Sequence, residues 1–197
     1  MVSSNIKIMV CGIGAIGSNL VDSLARQGFR KILVLDKDRV ERRNISTQIY
    51  GENQIGYLKT QALKTTIFRN TGIEIDTICK ELTATNSKLL KQVHLVVDAF
   101  DNSASRKLVQ DACRLHNIKC IHVGLSSGYG EVCWDEKYRV PNDVGRDVCE
   151  DQFSRNLISI TVAVASEEII DFCISNKPRI GNWTITLKDL VISRLNV

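Results

Sequence analysis

Three groups of residues in the first half of the chain have types and spacings able to hold a phosphorylated nucleotide. The first is Gly12-x-Gly14-x-x-Gly17, which follows the apolar run Ile6–Cys11 and precedes Leu20, Val21, Leu24 and Ala25 at helical spacing. In such a strand–turn–helix unit the first glycine permits the tight turn off the strand. The second leaves no Cβ between backbone and phosphate, and the third lets the helix lie close on the sheet. Free N–H groups at the start of that helix then face an anionic ligand. Asp36 ends a second apolar run nineteen residues after Gly17, where a carboxylate accepts hydrogen bonds from ribose hydroxyls.

The second group is the polar stretch Asp36-Lys-Asp38-Arg-Val-Glu-Arg-Arg-Asn44-Ile-Ser-Thr-Gln48, continued by Gly56-Tyr-Leu-Lys59. It gathers carboxylates, an amide pair, arginines and a lysine: carboxylates suit magnesium, and cations suit phosphate oxygens. A hydride-transfer enzyme needs one ribose carboxylate here and little else. The third group is Asp98-Ala-Phe-Asp101-Asn102-Ser-Ala-Ser-Arg106, at the end of another apolar run. Ligands in open α/β sheets bind beyond the carboxyl ends of the strands, so all three groups are expected to face one crevice.

The elements that must position them alternate between strand and helix patterns. Strands are expected at residues 6–11, 31–36, 74–80, 94–98 and 119–124, with 130–134 turning back antiparallel. Helices are expected over 56–70, 85–92, 103–116 and 156–174, the first burying Leu58, Ala62, Leu63, Ile67 and Phe68. Trp183 to Leu195 reads as two short strands. The fold class expected is α/β: a Rossmann-like open, mostly parallel sheet with helices on both faces and antiparallel strands toward the C-terminus. The reading takes residues 1–197 as one domain. Its parts are a nucleotide-binding core at 5–134, a mobile crossing loop at 135–153, and a C-terminal helix and strands at 154–197.

A net charge of +4 spread along the chain suits an acidic ligand but gives no argument for nucleic acid. No stretch approaches the ~20 apolar residues of a membrane span. With the first strand opening near residue 6, no signal peptide is expected. The seven cysteines form no Cys-x-x-Cys pair, which fits reduced thiols in a cytoplasmic protein and argues against a zinc site.

The five spaced motifs Gly12-x-Gly14-x-x-Gly17, Asp36-x-Asp38, Asn44 with Gln48, Gly56-x-x-Lys59 and Asp98-x-x-Asp101-Asn102 with Arg106 resemble the ThiF/MoeB family of adenylyltransferases, related to the ubiquitin-activating enzymes. The resemblance runs from about residue 6 to about residue 132. Asp98-Ala-Phe-Asp101 and Gly124-Leu-Ser-Ser-Gly128-Tyr-Gly130 look like the short ThiF-type members of sulfur-carrier pathways such as thiamine biosynthesis. The resemblance implies activation of a ubiquitin-like, ThiS-like carrier protein: its C-terminal Gly-Gly carboxylate attacks the α-phosphate of ATP, giving an acyl-adenylate and pyrophosphate. It implies that Asp36 holds the ribose, that Asn44, Gln48 and Lys59 orient the phosphates, and that Asp101 binds Mg2+. Asp38 would order the loop, and Arg106 would either reach phosphate or pair with Asp98. The carrier's tail would lie along Gly124–Gly130 and the 135–153 loop. Family members are commonly homodimers.

Three features depart from the family pattern. Thr47 stands where relatives carry an arginine that contacts the phosphates, so Arg42 or Arg43 would have to reach in. An N-terminal helix that lends an arginine to the partner subunit is not expected before the first strand. Paired Cys-x-x-Cys motifs are missing. Cys149 lies near where some relatives carry a thiol that takes the activated carrier, although Glu150 and Asp151 beside it disfavour a thiolate. Cys11, Cys120 and Cys133 read as small core residues, and His94, His116 and His122 as core or surface residues. Two other readings stay open: a ThiF-like module that binds nucleotide or carrier without turnover, and an NAD-dependent oxidoreductase.

Overall fold

Every residue of the first strand, β1 (Ile8–Cys11), is buried, because it lies inside a sheet covered on both faces. The computed structural model describes residues 5–126, 128–142, 154–189 and 191–195. The other strands are β2 (Ile32–Leu35), β3 (Asp76–Ile78), β4 (Leu95–Asp98), β5 (Lys119–Ser126), β6 (Tyr129–Trp134), β7 (Asn182–Thr186) and β8 (Val191–Leu195). They form one sheet in the order β3-β2-β1-β4-β5-β6-β7-β8. Pairing is parallel from β3 through β5 and antiparallel from β5 through β8. The mostly parallel α/β architecture with antiparallel strands on its C-terminal side is therefore the one expected.

Alternation along the strands divides the core in two. Ile8, Val10, Ile32, Val34, Leu95 and Val97 face α1 (Ala15–Arg26), α2 (Lys59–Thr71) and α4 (Arg155–Ser175). Met9, Cys11, Leu33, Leu35 and Val96 face α3 (Ser103–His116) and a 3-10 turn at Ser87–Gln92. α1 buries Ile16, Leu20, Val21 and Leu24 along one stripe. Burying a side chain of that size stabilises the fold by about 1.5–3 kcal/mol.

Three local expectations are corrected. The helix expected over 56–70 begins at Lys59, since Gly56 has φ +89° and Leu58 is extended. Phe68 is exposed rather than on the buried face, because α2 meets the sheet through Ala62, Leu63 and Ile67. The short helix expected over 85–92 is a 3-10 turn starting at Ser87. Cys149 and residues 143–153 of the crossing loop lie outside the described residues.

Gly17 is required by contact rather than by conformation: a Cβ there would lie 1.9 Å from the Gly12 carbonyl oxygen, and Gly12 itself has φ +82°. Gly17→Ala must force α1 off the turn, so a loss of at least about 1–3 kcal/mol is expected in urea denaturation. A wild-type midpoint would mean that α1 does not depend on this approach.

Candidate functional site

The polar stretch after β2 is laced into a shaped wall. Lys59 N–H donates to the Asp38 carbonyl (2.9 Å), Val40 N–H to Tyr57 (2.9 Å) and Gly56 N–H to Val40 (2.8 Å). This antiparallel stitch brings the start of α2 back to the end of β2, so the Lys59 Nζ lies 3.4 Å from Asp38 Oδ2. Between them, Glu41 N–H donates to Asn44 Oδ1 (2.8 Å), closing a 3-10 turn. The wall is fastened to the glycine turn and α1 from beneath. The buried Tyr50 hydroxyl donates to the Ile13 carbonyl (2.8 Å), and Asn19 Nδ2 and Arg155 Nη1 both donate to the Thr47 carbonyl (2.9 and 3.0 Å).

Asp36 is buried at the end of β2. Its Oδ2 accepts from Ile13 N–H (2.8 Å) and its Oδ1 from Asp38 N–H (2.7 Å), which leaves lone pairs on both oxygens directed by two fixed donors. Burial raises its pKa, opposed by Lys59 and those two amides. A cation and two backbone dipoles thus offset part of the cost of a buried carboxylate.

Two helices start at the same place. α1 begins after Gly14, and α3 begins after Asn102, whose Oδ1 caps Ser105 N–H (2.9 Å). Neither has an acidic residue in its first turn, so both present unneutralised positive ends. Gly12, Gly14, Asp36, Asp38, Asn44, Gln48, Lys59, Asp101, Asn102 and Arg106 all line one cleft of about 930 Å3 beyond the carboxyl ends of β1, β2 and β4. Gly17 lies beneath the turn rather than on the lining. Asp101 is exposed, and Asn102 Nδ2 donates to its Oδ1 (3.2 Å). An exposed carboxylate with a second oxygen directed by no described donor fits magnesium, which binds through one or two carboxylates plus phosphates and water.

Three expected residues have roles set partly by structure. Asn102 is the α3 cap, with its amide turned to Asp101. Arg106 is buried: it donates to Tyr138 Oη and the Val123 carbonyl (both 3.0 Å) and lies 3.6 Å from Asp98, the pairing that the sequence offered as one of two options. Burial works against its charge, but Asp98, Tyr138 and Glu131 outweigh it and raise the guanidinium pKa. Thr47 is buried away from the cleft, whereas Arg43 lines it. Both arginines are paired: Arg42 with Glu52 on the surface, and Arg43 with Glu41, its Nε 2.7 Å from Oε2.

Sequence reasoning missed a buried polar chain under the cleft. His122 Nδ1 lies 2.8 Å from Asp98 Oδ2, and its Nε2 lies 3.2 Å from Asp135 Oδ1. Its ring stacks on Tyr138 at 3.7 Å. Asp98 Oδ1 in turn accepts Phe100 N–H (3.2 Å), which fixes the turn leading to Asp101. The available signal was a histidine at an inward position of an otherwise apolar strand.

Asp135 joins that chain to α3 through Gln110 and Arg114. Burial alone would raise its pKa, but hydrogen bonds from His122, Arg114 and Gln110 bring it down to about 2. An unfolded aspartate titrates near ~3.9. Its stabilisation is therefore complete above about pH 4 and is lost as pH falls through about 2. Asp135→Asn is expected to lower Tm at neutral pH and to flatten the fall in Tm between about pH 5 and about pH 2. A fall as steep as wild type would assign the acid sensitivity elsewhere.

A model described as the ThiF family matches residues 3–165. The chain belongs to the ThiF family. Over 111 residues this ThiF-family chain is 38% identical to adenylyltransferase and sulfurtransferase MOCS3 of Anopheles gambiae, covering 55% of this chain and 25% of that protein. Over 133 residues it is 28% identical to ubiquitin-like modifier-activating enzyme 5 of Drosophila ananassae, covering 60% of this chain and 34% of the relative. The chain thus spans a quarter to a third of the length of these curated relatives. The crystal structure of E. coli MccB with MccA-N7isoASN superposes with a TM-score of 0.82 at 18% identity, over 98% of this chain and 65% of that one. MccB with ATP superposes with a TM-score of 0.77 at 19% identity, over 98% and 64%. At such identity the likeness concerns the fold. Among the described residues no helix is long and apolar enough to cross a membrane.

Proposed function

We propose that the chain is an ATP-dependent adenylyltransferase that activates the C-terminal carboxylate of a ubiquitin-like sulfur-carrier protein. The observation that carries the proposal is the single cleft. The ribose acid Asp36, the Asn44–Lys59 wall, two helix N-termini and Asp101 open into it together, and it continues past them to β5 and β6. An NAD-dependent oxidoreductase would use Gly12 to Asp36 and leave the rest of that lining idle. Family membership and the adenylyltransferase named among the relatives support the same reading.

In this mechanism the glycine turn and Asp36 seat the adenosine, and the helix N-termini draw the phosphates to the middle of the cleft. A carrier carboxylate oxygen forms a bond to the α-phosphorus while the bond to the β-phosphate oxygen breaks and pyrophosphate leaves. Lys59, with Asn44 and Gln48, meets the charge that develops on the α-phosphate. Arg43 supplies the cation that position 47 lacks. Asp101 would hold magnesium, whose charge offsets that of the departing pyrophosphate. The reading places the protein in the cytoplasm as a homodimer, with residues 1–197 forming one adenylation unit and a ThiS-like carrier as substrate.

Thermal unfolding with MgATP, ATP alone and NAD in parallel tests the nucleotide assignment. At ~100 times its Kd a ligand adds about 2.7 kcal/mol. A larger shift with MgATP than with ATP, and none with NAD, is expected. A shift with NAD alone would overturn the reading.

A further inference from the structure

The two ends of the cleft differ in charge. Strand order puts β3 and β2 at one end and β5 and β6 at the other. At the β3–β2 end the lining lysines and arginine equal the carboxylates in number. At the β5–β6 end the charged lining residues are Asp101, Arg106 and Glu131, and Arg106 is already engaged by Asp98, Tyr138 and the Val123 carbonyl. That leaves Asp101 and Glu131 facing whatever enters there, with Asp101 on the nucleotide side and Glu131 on β6.

The register fixes where Glu131 points. It pairs with Gly124 across the β5–β6 ladder, and directly opposed residues share a face. Arg106 covers that face at Gly124, 3.0 Å from where a Cβ would stand, whereas Gly130 and Val132 turn toward α4. Glu131 is half-buried, and the Asn182 amide donates to one of its oxygens. Among the described residues no cationic nitrogen lies within 4 Å of it. Tyr129 lies two residues earlier on the same face. Burial raises the pKa of the Tyr129 phenol, with Glu131 adding to the rise, and pushes Tyr138 up to about 12, where Arg106 opposes the rise and Asp98 and Glu131 add to it. Arg106, on the same face, is held by Asp98. A half-buried carboxylate that makes no ion pair of its own among the described residues, and shares its face with Tyr129, is therefore an environment for a further guanidinium or ammonium group.

We propose that Glu131 selects the tail that enters this end by recognising a basic side chain upstream of the terminal carboxylate. The inference rests on the adenylation reading for the direction of entry. An acidic tail would meet Glu131 with like charge, and a basic one would pair with its remaining lone pairs.

The test is the binding of fluorescein-labelled seven-residue peptides ending in Gly-Gly, with arginine, alanine or glutamate scanned through the five upstream positions. Wild type should bind the best arginine peptide at least ~10-fold more tightly than its glutamate counterpart, with the margin shrinking at high salt. Glu131→Gln should reduce the margin below about threefold, and Glu131→Lys should reverse it. Asn182→Ala keeps the charge and should keep the sign of the preference even if β7 shifts. No charge preference in wild type, or one unchanged in both Glu131 variants, overturns the inference. Equal pyrophosphate exchange on all peptides sinks it while leaving adenylation standing. A Glu131-dependent preference without any exchange, with peptides or with a whole carrier, does the reverse. Failure of every peptide to bind removes both the tail groove and the selection.

Discussion

Lys59→Ala is expected to cut the rate of adenylate formation by about 10²–10³, the cost typical of removing one donor that meets charge in a transition state. ATP affinity should change by less than about threefold, since the glycine turn, Asp36 and two helix ends remain to hold the nucleotide. The geometry supports this split. Lys59 is the first residue of α2 and is 8% exposed, with its Nζ tethered to Asp38 at the cleft wall. Its removal also strips Asp36 of the cation that opposes the burial-driven rise in pKa. The variant should therefore be checked for a wild-type MgATP shift before its rate is read. An unchanged kcat would take Lys59 out of the catalytic machinery, and a rise in Kd without a fall in kcat would make it a ground-state binding residue.

Asp101→Ala is expected to remove magnesium-dependent turnover, with a fall of at least ~100-fold, while Tm stays close to wild type. The second half follows from exposure: surface substitutions with few contacts fall within about ±0.5 kcal/mol. Asp98, three residues earlier in the same motif, should behave in the opposite way. It is fully buried between His122, Arg106 and the Phe100 amide. Removing one partner of a buried charged pair costs about 3–5 kcal/mol, so Asp98→Ala should fail in stability before its activity can be read. Turnover of Asp101→Ala at the wild-type rate would refute the magnesium assignment. Equal Tm losses in the two variants would refute the division between positioning and metal-holding carboxylates.

That division shows how far the sequence could be read. The apolar runs ending at Cys11, Leu35 and Asp98 declared both the parallel core and the edge where ligands gather, because period and spacing are local properties. Boundaries depending on backbone angles were less visible: Gly56 and the extended Leu58 delay α2, and no pattern of residue types announces this. Phe68 follows Ile67 at the margin of the apolar stripe, and only the way α2 packs, through Ala62, Leu63 and Ile67, decides that it faces water. The Asp98–His122–Asp135 chain and the outlook of Glu131 depend on strand register across the β4–β5–β6 ladder. Register is a tertiary property, so the motif showed two similar aspartates while the fold gave one to the floor of the site and one to its surface.

The most direct test of the central claim is pyrophosphate exchange into ATP, run with a ThiS-like protein ending in Gly-Gly and with the same protein carrying a C-terminal amide. Exchange that needs magnesium, the free carboxylate and Lys59 is the predicted result. Binding of MgATP without exchange for either form would contradict the account and leave a ThiF-family module that holds nucleotide without using it.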